Sequence, residues 1–212
     1  MVVELITEPS EFFEDETDQQ RLLIPVAIVL VAGIAHNLNT ILTLPLMSRV
    51  LSGHARAIAQ SITVIGVVGG TVGTFVLWFI YAGSFYTLSI IFDGKGRFRK
   101  VIFYTGWGFL PLAVHGLISG IAFQYTLSIA GSVPQNPQEF EMFIQSLGRR
   151  SPMIAAASSR FLFLGWQTVL WTYALRNSRR LTPRQALLTV SGPVIVTALV
   201  NGVRLLRTVG AI

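Results

Sequence analysis

The chain of 212 residues has no cysteine and little charge: Asp, Glu, Lys and Arg together make up 12%. Without cysteine, neither a disulfide framework nor thiolate chemistry is available. A soluble domain carries roughly 25% charged residues, so half that value, beside a hydrophobic share of 52%, excludes an ordinary soluble domain and a disordered chain. Acid is scarcer still within the apolar part. Seven of the ten carboxylates (Glu4, Glu8, Glu11, Glu14, Asp15, Glu16, Asp18) precede the first basic residue, Arg21, and Asp93 stands at the edge of an apolar run. A carboxylate relay, paired-carboxylate hydrolysis and membrane metalloprotease chemistry therefore lack residues to carry them. His36, His54 and His115 have no metal-ligand spacing and no cofactor motif appears, so neither metal nor cofactor is expected.

What is present is a series of uncharged runs, and a spanning helix needs ~20 apolar residues. Leu22 to Ser48, Ala57 to Phe92, Val101 to Gln138 and Gln185 to Val203 are free of Asp, Glu, Lys and Arg, and Ser151 to Leu175 holds only Arg160. These runs predict an all-α polytopic membrane protein: an acidic tail over residues 1–20, expected to be disordered and cytoplasmic, and a five-helix transmembrane bundle over 21–212. The spans centre near 22–44, 62–91, 101–129, 154–175 and 186–203. No turn cluster divides the second run, whose weakest point is Gly69-Gly70, so it reads as one helix. Spans two and three exceed one straight crossing and imply tilt or extension.

Five spans place the tail, the second loop and the fourth loop on one side. That side holds nine cations (Arg21, Lys95, Arg97, Arg99, Lys100, Arg176, Arg179, Arg180, Arg184) against six on the other (Arg49, Arg56, Arg149, Arg150, Arg204, Arg207). Positive charge favours the inner side, so the N-terminus is expected in the cytoplasm and the C-terminus outside the plasma membrane. Tyr86, Tyr104, Trp107, Trp171 and Tyr173 then fall near the inner ends, as an aromatic belt would. Asn136-Pro137 before Glu139 predicts a capped short helix with an apolar face of Phe140, Phe143, Ile144 and Leu147, on the outer interface or packed on the bundle. Thr182-Pro183-Arg184-Gln185 predicts a capping box opening the last span.

Ionisable or polar residues inside a membrane are the default candidates for function. Arg160, His115, Gln124 and Asn201 form the candidate intramembrane set; a snorkelling arginine and hydrogen bonds between packed helices are the alternatives. His36 and His54 are expected at or beyond the membrane edge. Gly66, Gly69, Gly70, Gly73, Gly116 and Gly120 include pairs spaced by four, which let helix backbones approach in the bundle or in a homo-oligomer. The second loop, from Asp93 to Lys100, combines Gly94 and Gly96 with Lys95, Arg97, Arg99 and Lys100. Its glycines suit a reversal, and its cations suit anionic headgroups or an acidic partner.

That loop, the stretch Tyr104-Thr105-Gly106-Trp107-Gly108-Phe109-Leu110-Pro111 and the run from Trp171 through Leu181 to Ala186-Leu187 resemble the Ypt/Rab-interacting-protein (Yip) domain family. The resemblance covers about residues 20–205. It implies five helices, a cytosolic N-terminus, an external C-terminus and a role in membrane organisation, not a reaction. Eukaryotic members are linked to Rab-type GTPases; the small size and arginine-rich composition resemble a prokaryotic member, where those partners do not apply. The leading expectation is a non-enzymatic scaffold whose Lys95, Arg97, Arg99 and Lys100 bind headgroups or a partner, with Gly94, Gly96 and Pro111 setting geometry. The alternative is a small oligomeric transporter or channel module, and a lipid-processing enzyme ranks third. A pI in the basic range reflects membrane topology here, so no nucleic-acid partner is expected.

Overall fold

The computed structural model describes residues 12–13 and 23–211, and every delimited element among them is helical. In chain order these are α1 (Leu23–His36), α2 (Leu38–Val50), α3 (Gly53–Ile90), α4 (Phe98–Trp107), α5 (Leu110–Ser128), α6 (Pro137–Gly148), α7 (Ser151–Arg179) and α8 (Pro183–Val209). Apart from Phe12 and Phe13, the acidic tail lies outside the described residues.

The surface is turned inside out relative to a soluble protein. Ile62, Ile65, Val72 and Ile80 of α3 and Ile195, Val196 and Leu199 of α8 are all more than half exposed. Such a continuous apolar face requires lipid around it. The chain is an all-α, multi-pass membrane protein that sits in a bilayer.

The expected count of five spans needs correction. Among the described residues, α3, the α4–α5 stretch and α8 are long and apolar enough to cross a membrane, and α1 with α2 adds a fourth if that pair is one span bent by 45°. α7 has the length, 29 residues, but not the apolarity. The reason is its position: it packs against α4, α5 and α8 and buries Leu164, Gln167, Leu170, Trp171, Ala174 and Leu175. A helix shielded by protein needs less apolar surface than one facing lipid.

Two expected straight spans are broken. Span one divides at Asn37, whose N–H donates to Ile34 O at 3.0 Å while its side-chain amide donates to Gly33 O at 2.8 Å. The side chain thus takes a carbonyl that the next turn would have taken, and Gly70 leaves it room: a Cβ there would lie 2.5 Å from Asn37 Oδ1. Span three divides at Gly108-Phe109, just before Pro111, which lacks an N–H and starts α5. The second run is one helix throughout, as expected, and at 38 residues it is roughly 57 Å long. Both local start signals are present. Asn136 Oδ1 accepts from Gln138 N at 2.9 Å, and Thr182 with Gln185 forms the capping box.

The main core gathers Val29, Trp78, Phe85, Val101, Phe109, Leu112, Trp171 and Leu175. A second cluster joins Phe13 to Phe103, Tyr104, Trp107 and Leu170. Trp107 and Trp171 are each 1% exposed, so they belong to the interior and not to an interfacial belt.

Candidate functional site

The reversal between α3 and α4 is held from across the bundle. Three residues past the end of α3, Asp93 lies in the left-handed region at φ 54°, a conformation that Asp tolerates better than most residues. Gly94 N then donates to Ser89 O at 3.0 Å, and Lys95 N donates to Arg179 O at 2.8 Å. Arg179, in the last turn of α7 and 3% exposed, completes the lock. Its Nε donates to Ser89 Oγ at 2.7 Å, and its two Nη atoms donate to the carbonyls of Gly94 and Gly96. The guanidinium also lies 4.3 Å from the centre of the Tyr86 ring. A planar fork with several fixed donors suits this task better than an ammonium would.

Gly96 is required by both space and backbone. Its φ is 140°, and a Cβ would lie 2.2 Å from Ser178 O. Gly94 is nearly as constrained, with Ser89 O 2.8 Å from a Cβ. The result is a fixed loop whose Lys95, Arg97 and Arg99 side chains are exposed beside one another in sequence. Lys100 differs: it is half-buried, with Nζ 5.5 Å from the centre of the Tyr104 ring. The adjacency of this loop and the end of α7 also places the second and fourth loops at one end of the bundle, hereafter the clamp end.

The break between α4 and α5 is sealed by side chains of α7. Trp171 Nε1 donates to Thr105 O at 3.0 Å and Gln167 Nε2 donates to Gly108 O at 3.0 Å. Trp78 Nε1 of α3 donates to Ile102 O at 3.0 Å. Carbonyls freed at membrane depth must be satisfied internally; Gln167 serves Gly108 O, while Trp171 adds a second donor to Thr105 O, which also accepts from Gly108 N at 3.2 Å. The glycines flanking Trp107 make room: a Cβ on Gly106 would lie 2.6 Å from Pro25, and one on Gly108 would lie 2.0 Å from Trp171 Nε1. Pro111 is buried at the start of α5.

The other expected residues separate. Gly116 and Gly120 are close-approach points, against the Ala35 carbonyl and the Leu38 side chain. Gly70 accommodates Asn37, whereas Gly66, Gly69 and Gly73 meet nothing within 4 Å. His115 and Arg160 share one region: His115 Nε2 donates to Ala156 O at 3.1 Å, one turn before Arg160 on α7. Gln124 is exposed on α5 and Asn201 is half-buried on α8, one turn before Arg204. His36 ends α1 at the break and interacts electrostatically with Arg160 and Arg204.

Sequence reasoning missed Arg179 as more than a loop cation, and it missed Gln167. Each works through partners 59 to 90 positions away, which no local spacing reveals. A weak signal existed in the polar residue buried among apolar neighbours at Gln167.

An all-helical bundle with broken spans and a basic reversal locked by a buried arginine defines a polytopic integral membrane protein. Residues 3–203 match the Yip1 domain, and the chain belongs to that family. It is 29% identical over 119 residues to an uncharacterized protein of Methanocaldococcus jannaschii, a match covering 56% of this chain and 84% of the relative. No solved structure matches it.

Proposed function

We propose that this protein is a non-enzymatic membrane-organising scaffold whose basic reversal loop engages anionic headgroups or an acidic partner. The observation that carries the reading is the Arg179 clamp. A loop serving only to connect two helices does not need a buried guanidinium on three acceptors, whereas a loop that presents charge gains from being fixed, because less ordering is lost on binding. Lys95, Arg97 and Arg99 supply the contact, with Lys100 at its base; Gly94, Gly96 and Pro111 set its geometry. The cation imbalance between the two ends supports a cytoplasmic clamp end and N-terminus, with the C-terminus outside the plasma membrane.

A small oligomeric transporter or channel module is the second reading, favoured by the buried unpartnered atoms of His115 and Arg160. The outward position of Gln124 gives that region no continuation along α5.

The test places purified protein in neutral nanodiscs and measures binding to anionic vesicles in trans. Each surface cation is worth ~1 kcal/mol, so changing Lys95, Arg97 and Arg99 together to Gln should weaken binding by on the order of a hundredfold. Equal binding by that variant would return the loop to a purely topological role.

A further inference from the structure

The end of the bundle opposite the clamp holds a second cationic region that the scaffold reading does not use. Arg160 on α7 interacts electrostatically with Tyr81 of α3 and Arg204 of α8. His36 of α1 interacts electrostatically with both arginines, and His115 of α5 with Arg160 and His36. Residues of five helices are thus electrostatically coupled in one region. Arg160 Nη1 and His115 Nδ1 are buried there without a hydrogen-bond partner. Among the described residues no carboxylate balances them: the acids are Asp93 at the clamp end and Glu139 and Glu141 on α6, and none is among the groups facing Arg160 or His36. A half-buried guanidinium with a buried, empty donor calls for an anion.

The depth and the surroundings identify the kind of anion. α7 is 29 residues long, roughly 43 Å, which matches a whole bilayer with its headgroup regions. Arg160 lies nine residues from its start, ~14 Å in, and the hydrocarbon edge falls about 5–8 Å in on the same scale. A guanidinium at that depth reaches up to the phosphate level by snorkelling. Arg204, exposed on α8, interacts with it electrostatically. Below them runs a groove of about 760 Å³ between α3 and α8, walled by Leu77, Ile80, Leu88 and Val196 and crossed by the Tyr81–Thr197 hydrogen bond. Thr197 and Arg204 are seven residues apart, two turns and ~10 Å on the same face of α8. Tyr81 both lines the groove and interacts electrostatically with Arg160. Charge at the top and an apolar channel beneath match one molecule, a phosphate-bearing lipid.

We infer that Arg160, Arg204 and His36 hold the phosphate of a phospholipid from the leaflet opposite the clamp end, with an acyl chain in the α3–α8 groove. The free donor of Arg160 meets a phosphate oxygen, Arg204 closes the site from the lipid side, and the groove selects a chain-bearing ligand over a free ion.

The test uses full-length protein, delipidated in a phosphate-free maltoside detergent, with Lys95, Arg97 and Arg99 changed to Gln so that the loop is silent. Native mass spectrometry then measures binding of phosphatidylglycerol, of diacylglycerol with the same chains, and of inorganic phosphate. Phosphatidylglycerol should remain bound on this background and diacylglycerol should not. Arg204→Gln, at an exposed position that leaves packing intact, should weaken retention at least tenfold, and Arg160→Gln should do the same. Loss of phosphatidylglycerol on the loop-silent background would assign lipid binding to the loop and overturn the inference. Equal binding of diacylglycerol, binding of inorganic phosphate without the lipid, or no effect of Arg204→Gln would each overturn it as well.

Discussion

The indole of Trp171 occupies the space that a side chain on Gly108 would need: a Cβ there would stand 2.0 Å from Nε1 and 2.3 Å from Cδ1. Because that same Nε1 donates to Thr105 O, Gly108→Ala must displace the ring and break the hydrogen bond that ties α7 to the α4–α5 break. Overpacking costs about 1–3 kcal/mol, and an unmade buried hydrogen bond adds a similar amount. Thermal unfolding in detergent should show a large fall in the midpoint. Gly66→Ala, where nothing lies within 4 Å, should leave the monomer's midpoint unchanged or raised, since alanine is the better helix former.

Features carried by neighbours in sequence were legible in advance. The Asn136 cap and the Thr182–Gln185 capping box span two or three positions, and the uncharged run of α3 gave its helix whole. Features that depend on distant partners were not. Asn37 has no adjacent proline or glycine to announce a break; the break depends on its own side chain and on space left by Gly70. Once α1 ends there, His36 comes within electrostatic reach of Arg160 and Arg204. Trp171 read as an interfacial residue because it stood near a span end, whereas the broken helix opposite it drew the ring inward. The basic loop was visible as composition, but its rigidity comes from Arg179, more than 80 residues away.

Arg179→Lys keeps the charge and loses the fork. One ammonium cannot serve Ser89 Oγ and both glycine carbonyls in a plane. Hydrogen bonds to charged groups contribute about 1.5–3 kcal/mol each, so the loop should open locally. Hydrogen exchange of the Lys95 amide, which is bonded to Arg179 O, should accelerate at least tenfold. Gly96→Ala, strained at φ 140° and 2.2 Å from Ser178 O, should have the same effect without altering any charge. Protection unchanged in both variants would mean that the clamp does not govern loop order.

Stability and charge should separate at this loop. Lys95, Arg97 and Arg99 are exposed, and surface substitutions usually fall within ±0.5 kcal/mol. Changing the three to Gln should leave the unfolding midpoint nearly where it was while vesicle binding falls. In the unaltered protein, that binding should weaken steeply between low and physiological salt, because exposed charges are screened over ~8–10 Å there. Binding indifferent to salt would point to an apolar contact in place of a headgroup one.

Phe12 and Phe13 fasten the beginning of the chain to the bundle. Phe13 is 1% exposed, its ring centre 5.2 Å from that of Tyr104, and the Phe12 ring lies edge-on to Trp107 at 4.8 Å. Removing a buried phenylalanine costs about 3–5 kcal/mol when the whole cavity must be carried. A loss of about that size is expected for Phe13→Ala. The sharper reporter is optical. Trp107 packs directly against Phe12, so Phe12→Ala with Phe13→Ala should expose its ring and shift tryptophan emission to the red. To isolate that signal, Trp78, Trp166 and Trp171 would be replaced by Phe in a parallel protein that retains Trp107. A red shift there, with the α-helical circular dichroism preserved, would show the aromatic pair as a latch on α4. No shift would mean that Trp107 is shielded by Phe103, Leu170 and their neighbours alone.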